Sequence, residues 1–226
     1  MDTSAATGIM PGISTHPVNV MACDVNLDHG VVDRLVKELA ASRAAAAGPD
    51  FLLLQRVDQT DVGRLSAAMG IEADKSSDRS VFDISVNAEP TDGSWGNAIL
   101  SAGPMYEGRA IPNEGGGGIG VWAVSVMDGR RFRIASVDLI EGTGDQAGRS
   151  QDLEVEHFRE AWQAAGDEPM ILAMRYAGKS PIEDARKSGG SSVMDERVEV
   201  SMPWKLGGNV KTLDGAGSCF GVEVGP

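Results

Sequence analysis

The sequence predicts an α/β domain in which two packed β-sheets carry helices on the outside. Three observations lead there. About nine short runs rich in β-branched and apolar residues alternate with Gly, Pro, Asn and Asp clusters. Three segments with helical apolar spacing are spread among them rather than grouped. Glycine supplies 29 of 226 residues, about 13% against a usual level near 7%, which favours tight turns over long helices.

Residues 1–17 read as a flexible arm of small residues, Gly and Pro, and 18–226 as one domain. Val18–Val25 is the first strand. Asp28, His29 and Gly30 break it, and Val31, Val32, Leu35, Val36, Leu39 and Ala40 mark one face of the first helix. Gly48-Pro49-Asp50 stops that helix, and Phe51–Leu54 is a short buried strand. A second helix runs from Thr60 to Met69 and is closed by Gly70. Strands follow at Val81–Val86, Asn97–Ser101, Ile119–Val126 and Arg131–Leu139, the last two joined by the hairpin signal Asp128-Gly129. A third helix is expected over Arg149–Ala165, with Phe158, Ala161, Trp162 and Ala165 on one face. Pro169–Ala173, Val198–Met202 and Phe220–Val224 read as the closing strands, with a polar loop or short helix at 178–192.

Composition narrows the function classes. With 42% apolar residues the chain can bury a sizeable core. Lys and Arg total 20 against 33 for Asp and Glu, a net charge of −13 that repels phosphate backbones and argues against nucleic-acid binding. The longest strongly apolar run is Phe51–Leu54, far short of the roughly 20 residues a transmembrane helix needs. No secretory signal is visible at the start. A soluble, cytoplasmic protein is expected, and peripheral attachment to a membrane complex is compatible with that. His16, His29 and His157 show no metal-ligand spacing. Two cysteines build no disulfide framework, although one bridge stays open.

Five segments in order, VNVMACDVNLDHG, GPDFLLLQRVD, GNAILS, RRFRIASVDL and EPMILAMRYAG, make the chain resemble the endonuclease/exonuclease/phosphatase superfamily of metal hydrolases. The resemblance covers most of residues 18–224. It implies a four-layer αββα sandwich, two mixed β-sheets packed face to face with helices outside. It also implies metal-assisted phosphoester hydrolysis, in which oxygen ligands hold Mg²⁺ and histidines act on the phosphoryl group.

The positions that carry this chemistry are altered here. The Asn that ends the family's first strand is matched by Asp24, a tolerable oxygen ligand. The Leu-Gln-Glu of the second strand, whose Glu is the principal metal ligand, is matched by Leu54-Gln55-Arg56. The Thr-His-Leu that supplies a catalytic histidine is matched by Val137-Asp138-Leu139. The Gly-Asp-Phe-Asn segment is matched by Met174-Arg175-Tyr176-Ala177, and the terminal Ser-Asp-His by Ser218-Cys219-Phe220. Arg197-Val198-Glu199 keeps the Arg-Ile-Asp strand, and Asn97 matches within a fold-defining strand. A cation therefore stands where the cation's ligand belongs, and both histidines are missing.

The resemblance thus implies a catalytically degenerate pocket lined by Asp24, Arg56, Asn97, Asp138, Arg175, Ala177, Cys219 and Phe220. No cofactor and no metal are expected. Asp24, Arg56, Asp138 and Arg175 are expected to form an ion-pair network that fills the site, because Arg pairs bidentately with carboxylate. The alternative is an anion site on Arg56 and Arg175 that senses a phosphorylated ligand, which the two acids oppose. The Gly115–Gly118 run lacks the Lys-Ser/Thr of a phosphate loop and reads as a hairpin tip. His157 reads as a surface or packing residue and His29 as a turn or helix start. Cys23 and Cys219 are expected as buried free thiols; the first and last strands run near each other in this fold, which allows the two to lie close and leaves open whether they do. The function expected is that of a non-catalytic structural or interaction subunit whose partners are other proteins, a membrane-associated complex among the candidates. A residual metal-dependent phosphoesterase is the further alternative.

Overall fold

Alternation along the first two strands sets the layering. In β1 (Val18–Asp24) and β2 (Phe51–Asp58), Val18, Val20, Ala22, Phe51 and Leu53 enter one core, while Met21, Cys23, Leu52 and Leu54 enter another. A strand buried on both faces reads as a continuous apolar run, hence FLLL. The structure, a computed structural model, describes residues 17–72, 74, 76–84, 94–112, 118–127, 130–138, 170–175, 191–194, 199–202, 211–212 and 218–224.

Between β1 and β2 lies α1 (His29–Ala44), capped by Asp28, whose carboxylate accepts from the Gly30 amide at 2.7 Å. After β2 comes α2 (Gln59–Met69), capped by Asp58, which accepts from the Thr60 amide at 2.7 Å. The helix ends on Gly70 at φ +83°, a left-handed turn that glycine adopts without strain. Val31, Val32, Leu35 and Leu39 of α1 join Val62 and Leu65 of α2 over the outer face of the first sheet. Two polar contacts join the helices. His29 Nδ1 of α1 lies 2.7 Å from Oδ2 of the buried Asp61 in α2. Arg64 of α2, which also donates from Nη1 to Asp61 Oδ1 at 2.8 Å within its own helix, donates from Nη2 to Asp33 of α1. Among the described residues no helix is long and apolar enough to cross a membrane.

The remaining elements are α3 (Ser76–Arg79), β3 (Ser80–Ile84), β4 (Trp95–Ser101), β5 (Met105–Pro112), β6 (Gly118–Met127), β7 (Arg130–Asp138), β8 (Met170–Arg175), β9 (Ser191–Met194), β10 (Glu199–Met202), β11 (Lys211–Thr212) and β12 (Ser218–Val224). They form two six-stranded sheets, ordered β11-β12-β1-β2-β4-β3 and β5-β6-β7-β8-β10-β9. Both are mixed, since β1–β2 and β7–β8 run parallel and the other pairs antiparallel. Their inner faces meet in a core of Val20, Phe51, Leu53 and Ile99 against Val121, Phe132, Ile134 and Ile171. Phe51 and Phe132 pack edge to face across it, with centroids 6.5 Å apart. Two mixed sheets packed face to face, with helices outside, is the architecture the sequence implied.

Three strands escaped the sequence reading. β5 leaves residues 106–110 exposed and carries a register break between Tyr106 and Arg109, with Glu107 at φ +56°, so no alternation marks it. β9 is four residues long and β11 only two. The expected helix over Arg149–Ala165, with Trp162 and His157, lies outside the described residues, as do residues 1–16 and Gly115 to Gly117.

Cys23 and Cys219 overturn the expectation of free thiols. β12 lies beside β1 in continuous register, so the two cysteines face each other directly, their Cα atoms 4.2 Å apart, and are joined as a disulfide.

Candidate functional site

Parallel pairing brings the carboxyl ends of four strands to one end of the inner core. Asp24 ends β1 beside Gln55 of β2, and Asp138 ends β7 directly beside Arg175 of β8. Inward alternation selects Asp24 after Ala22, Asp138 after Ser136 and Arg175 after Ala173.

Arg56 reaches the same place through a backbone irregularity. The β2–β4 register runs Leu54 opposite Ala98, then Val57 opposite Gly96, so Gln55 and Arg56 together face the single residue Asn97. Arg56 sits at φ +50°, the left-handed region an arginine seldom occupies. This bulge keeps Arg56 from pointing away from Gln55 as regular pleating would require. The loop after β1 holds it: the Val25 amide donates to the Gln55 carbonyl at 3.0 Å and the Leu27 amide to the Arg56 carbonyl at 2.9 Å.

The four side chains form one ion-pair network spanning both sheets. Arg56 Nε donates to Asp24 Oδ1 at 2.8 Å, and its Nη2 donates to Oδ2. From the other sheet, Arg175 places Nε 3.6 Å from Asp24 Oδ2 and donates from Nη1 to Asp138 Oδ1 at 2.6 Å. Both acids are buried, whereas the Arg56 and Arg175 side chains keep 18% and 25% of their surface at the mouth. Burial pushes the Asp138 carboxyl above its ordinary value, against the opposing charge of Arg175.

Beneath this network lies a polar layer that sequence reasoning missed. Ser136 donates to the Leu54 carbonyl at 2.8 Å, so its oxygen is left to accept from Gln55 Nε2 at 2.9 Å. That fixes the orientation of the Gln55 amide. Its Oε1, Asn97 Oδ1 and Asp138 Oδ2 are buried with no hydrogen-bond partner. The available signal was Gln55 itself, a polar residue closing the apolar run FLLL.

A divalent ion does not fit this donor set. Both Asp24 oxygens are committed to Arg56, and a guanidinium occupies the strand-end place where the resemblance calls for a carboxylate ligand. A second cation there would face Arg56 and Arg175 at close range. Among the described residues no group of three His, Cys, Asp or Glu side chains is arranged to hold a metal. Cys219 Sγ is bonded to Cys23, so it offers no thiolate nucleophile.

Of the remaining candidates, Asn97 is buried on β4 opposite the bulge. Cys219 is buried and faces the helix side, away from the ion pairs. Phe220 pairs with Ala22 on the β1–β12 ladder, and Ala177 lies outside the described residues.

No protein-family model matches the chain, and no curated protein matches it in sequence. Solved structures do match in shape. The human Nocturnin catalytic domain with bound sulfate is similar at a TM-score of 0.64 and 12% identity, over 92% of this chain and 93% of that one. An endonuclease/exonuclease/phosphatase family protein from Leptotrichia buccalis gives 0.65 and 9% identity, over 92% and 98%. Truncated Caenorhabditis elegans TDP2 gives 0.62 and 12%, over 95% and 100%. At such identities what is shared is the fold. By strand order, layering and these likenesses, the chain has the endonuclease/exonuclease/phosphatase fold.

Proposed function

We propose that this chain is a non-catalytic form of the endonuclease/exonuclease/phosphatase fold that serves as a structural or interaction subunit of a larger protein assembly. One observation carries the reading: the bidentate grip of Arg56 on Asp24, reinforced by Arg175, fills the strand-end site with two guanidinium groups. With the chemistry displaced, what stays useful is the surface. A net charge of −13 suits a partner with a basic face.

The test has two arms. Native purification from source cells, followed by mass and composition analysis, is expected to yield stoichiometric co-purifying proteins that survive moderate salt. A phosphodiesterase assay with Mg²⁺ or Mn²⁺ is expected to give no turnover above background. A clean monomer that hydrolyses a phosphodiester overturns the proposal.

The partial exposure of Arg56 and Arg175 supports a second reading, an anion-sensing pocket. Their engagement with Asp24 and Asp138 weighs against it, since the acids repel phosphate. A saturable, phosphate-dependent rise in melting temperature would favour it over the first.

A further inference from the structure

The last strand is attached to the domain in an unusual way. Among the described strands β12 pairs only with β1 and β11, and the two-residue β11 pairs only with β12. This edge of the first sheet therefore hangs on a single ladder, Val18 opposite Val224 through Asp24 opposite Ser218. The Cys23–Cys219 disulfide crosses that ladder one residue from its Asp24 end and joins positions 196 residues apart. Both cysteines are 0% exposed and lie in the core beneath α1 and α2.

We propose that Cys23–Cys219 is a redox latch that controls how firmly the C-terminal edge, β12 with β11, stays on the sheet. Two features make it a latch rather than a fixed staple. Reduced cysteines pack as small apolar side chains, so the same buried pocket accepts either redox state without an unpaired polar group. The bond also closes a loop of nearly the whole chain, so cleaving it releases much denatured-state entropy while removing one covalent link from the fold. Cleavage by a dithiol reductant is balanced: two electrons and two protons pass to the two sulfurs, the S–S bond breaks, two S–H groups form, and the reductant becomes a disulfide. Because the bond is wholly buried, thiolate attack must wait for β12 to lift from β1. Opening of the latch and mobility of the edge are thus one event.

The experiment uses the full chain, oxidised and after treatment with dithiothreitol, with free thiols counted by alkylation and mass. Reduction is expected to lower the melting temperature by about 10 °C. Amide exchange should accelerate in β11, β12 and β1 but not in β6 or β7. The reduction rate should level off as dithiothreitol rises, because strand opening becomes limiting. A Cys23→Ala/Cys219→Ala chain should match the reduced protein in exchange pattern. Two free thiols that resist air oxidation in the folded protein, or unchanged exchange in β12 after reduction, overturn the latch. The outcome is independent of whether the ion-paired site is catalytic.

Discussion

Arg56 takes both oxygens of Asp24, with Nε 2.8 Å from Oδ1 and Nη2 on Oδ2, while Asp24 is only 2% exposed. A buried pair of this kind adds little net stability over an apolar pair, yet breaking it strands a charge. Arg56→Met leaves the Asp24 charge with the 3.6 Å approach of Arg175 and the Asn26 amide, which donates to Oδ1 at 3.2 Å. The expected loss is about 3 kcal/mol in urea denaturation. Asp24→Asn with Arg56→Met together should lose clearly less than the sum of the two single changes. Additive losses would mean that the pair is not coupled.

The Asp138 carboxyl carries a pH dependence of definite sign. Burial raises its folded-state pKa above the ordinary 3.8, with Arg175 opposing. The folded chain therefore holds this proton more tightly than the unfolded chain. Its favourable contribution is complete below the unfolded value and is lost as pH rises through the folded one. Asp138→Asn should remove that fall, giving a flatter stability profile from pH 3.8 upward than the parent shows. Asp58 has the opposite sign, because the Thr60 hydroxyl and amide lower its carboxyl, so its capping contribution is lost as pH falls. Urea midpoints across pH for both chains provide the check. Parallel profiles would refute the assignment of Asp138.

The strands that carry the site were legible because each ends an apolar run whose order survives: Asp24 after VNVMAC, Asp138 after RIASV, Arg175 after MILAM. Residue type then dictated pairing, since two acids and two guanidiniums at adjoining strand ends have few other satisfactory partners. The bulge at Arg56 was not legible. A positive φ is signalled by Gly or Asn, and here an arginine is held there by amides of the loop after β1. The contact between Gln55 and Ser136 joins residues 81 apart in sequence and on different sheets, so no local pattern announces it. The disulfide escaped for a different reason: knowing that two strands run close does not fix their register, and only register sets Cys23 opposite Cys219. The His29–Asp61 contact likewise depends on how α1 packs on α2.

Phe132 is the largest side chain that the second sheet places fully inside the shared core, 1% exposed and edge-on to Phe51. Phe132→Ala removes its buried ring and leaves a cavity between two sheets that are each held in place by their own ladders. The collapse needed to fill it is therefore restricted, and a loss of about 3–5 kcal/mol is expected. Phe132→Leu should lose less than half of that. Comparable losses for the two variants in denaturant would argue that the ring does not bridge the sheets.

Two glycines make opposite tests of how closely backbone packing supports the site. Gly120 on β6 faces Val137 of β7, and a Cβ there would lie 2.5 Å from the Ser136 carbonyl oxygen and 2.9 Å from Val137 Cα. Both obstacles are backbone, so no rotamer change relieves them. Gly120→Ala should destabilise by about 2 kcal/mol or more. It should also disturb Ser136, whose hydroxyl orders Gln55 under the ion pairs. Gly63 lies within α2 with nothing inside 4 Å of its would-be Cβ. Gly63→Ala relieves the helix of glycine's backbone entropy and should stabilise by about 0.5–1 kcal/mol. The pair differ in sign because one methyl meets the neighbouring strand and the other meets open space. If Gly120→Ala leaves the thermal midpoint unchanged or raises it, the close approach of β6 to β7 at the base of the site is wrong.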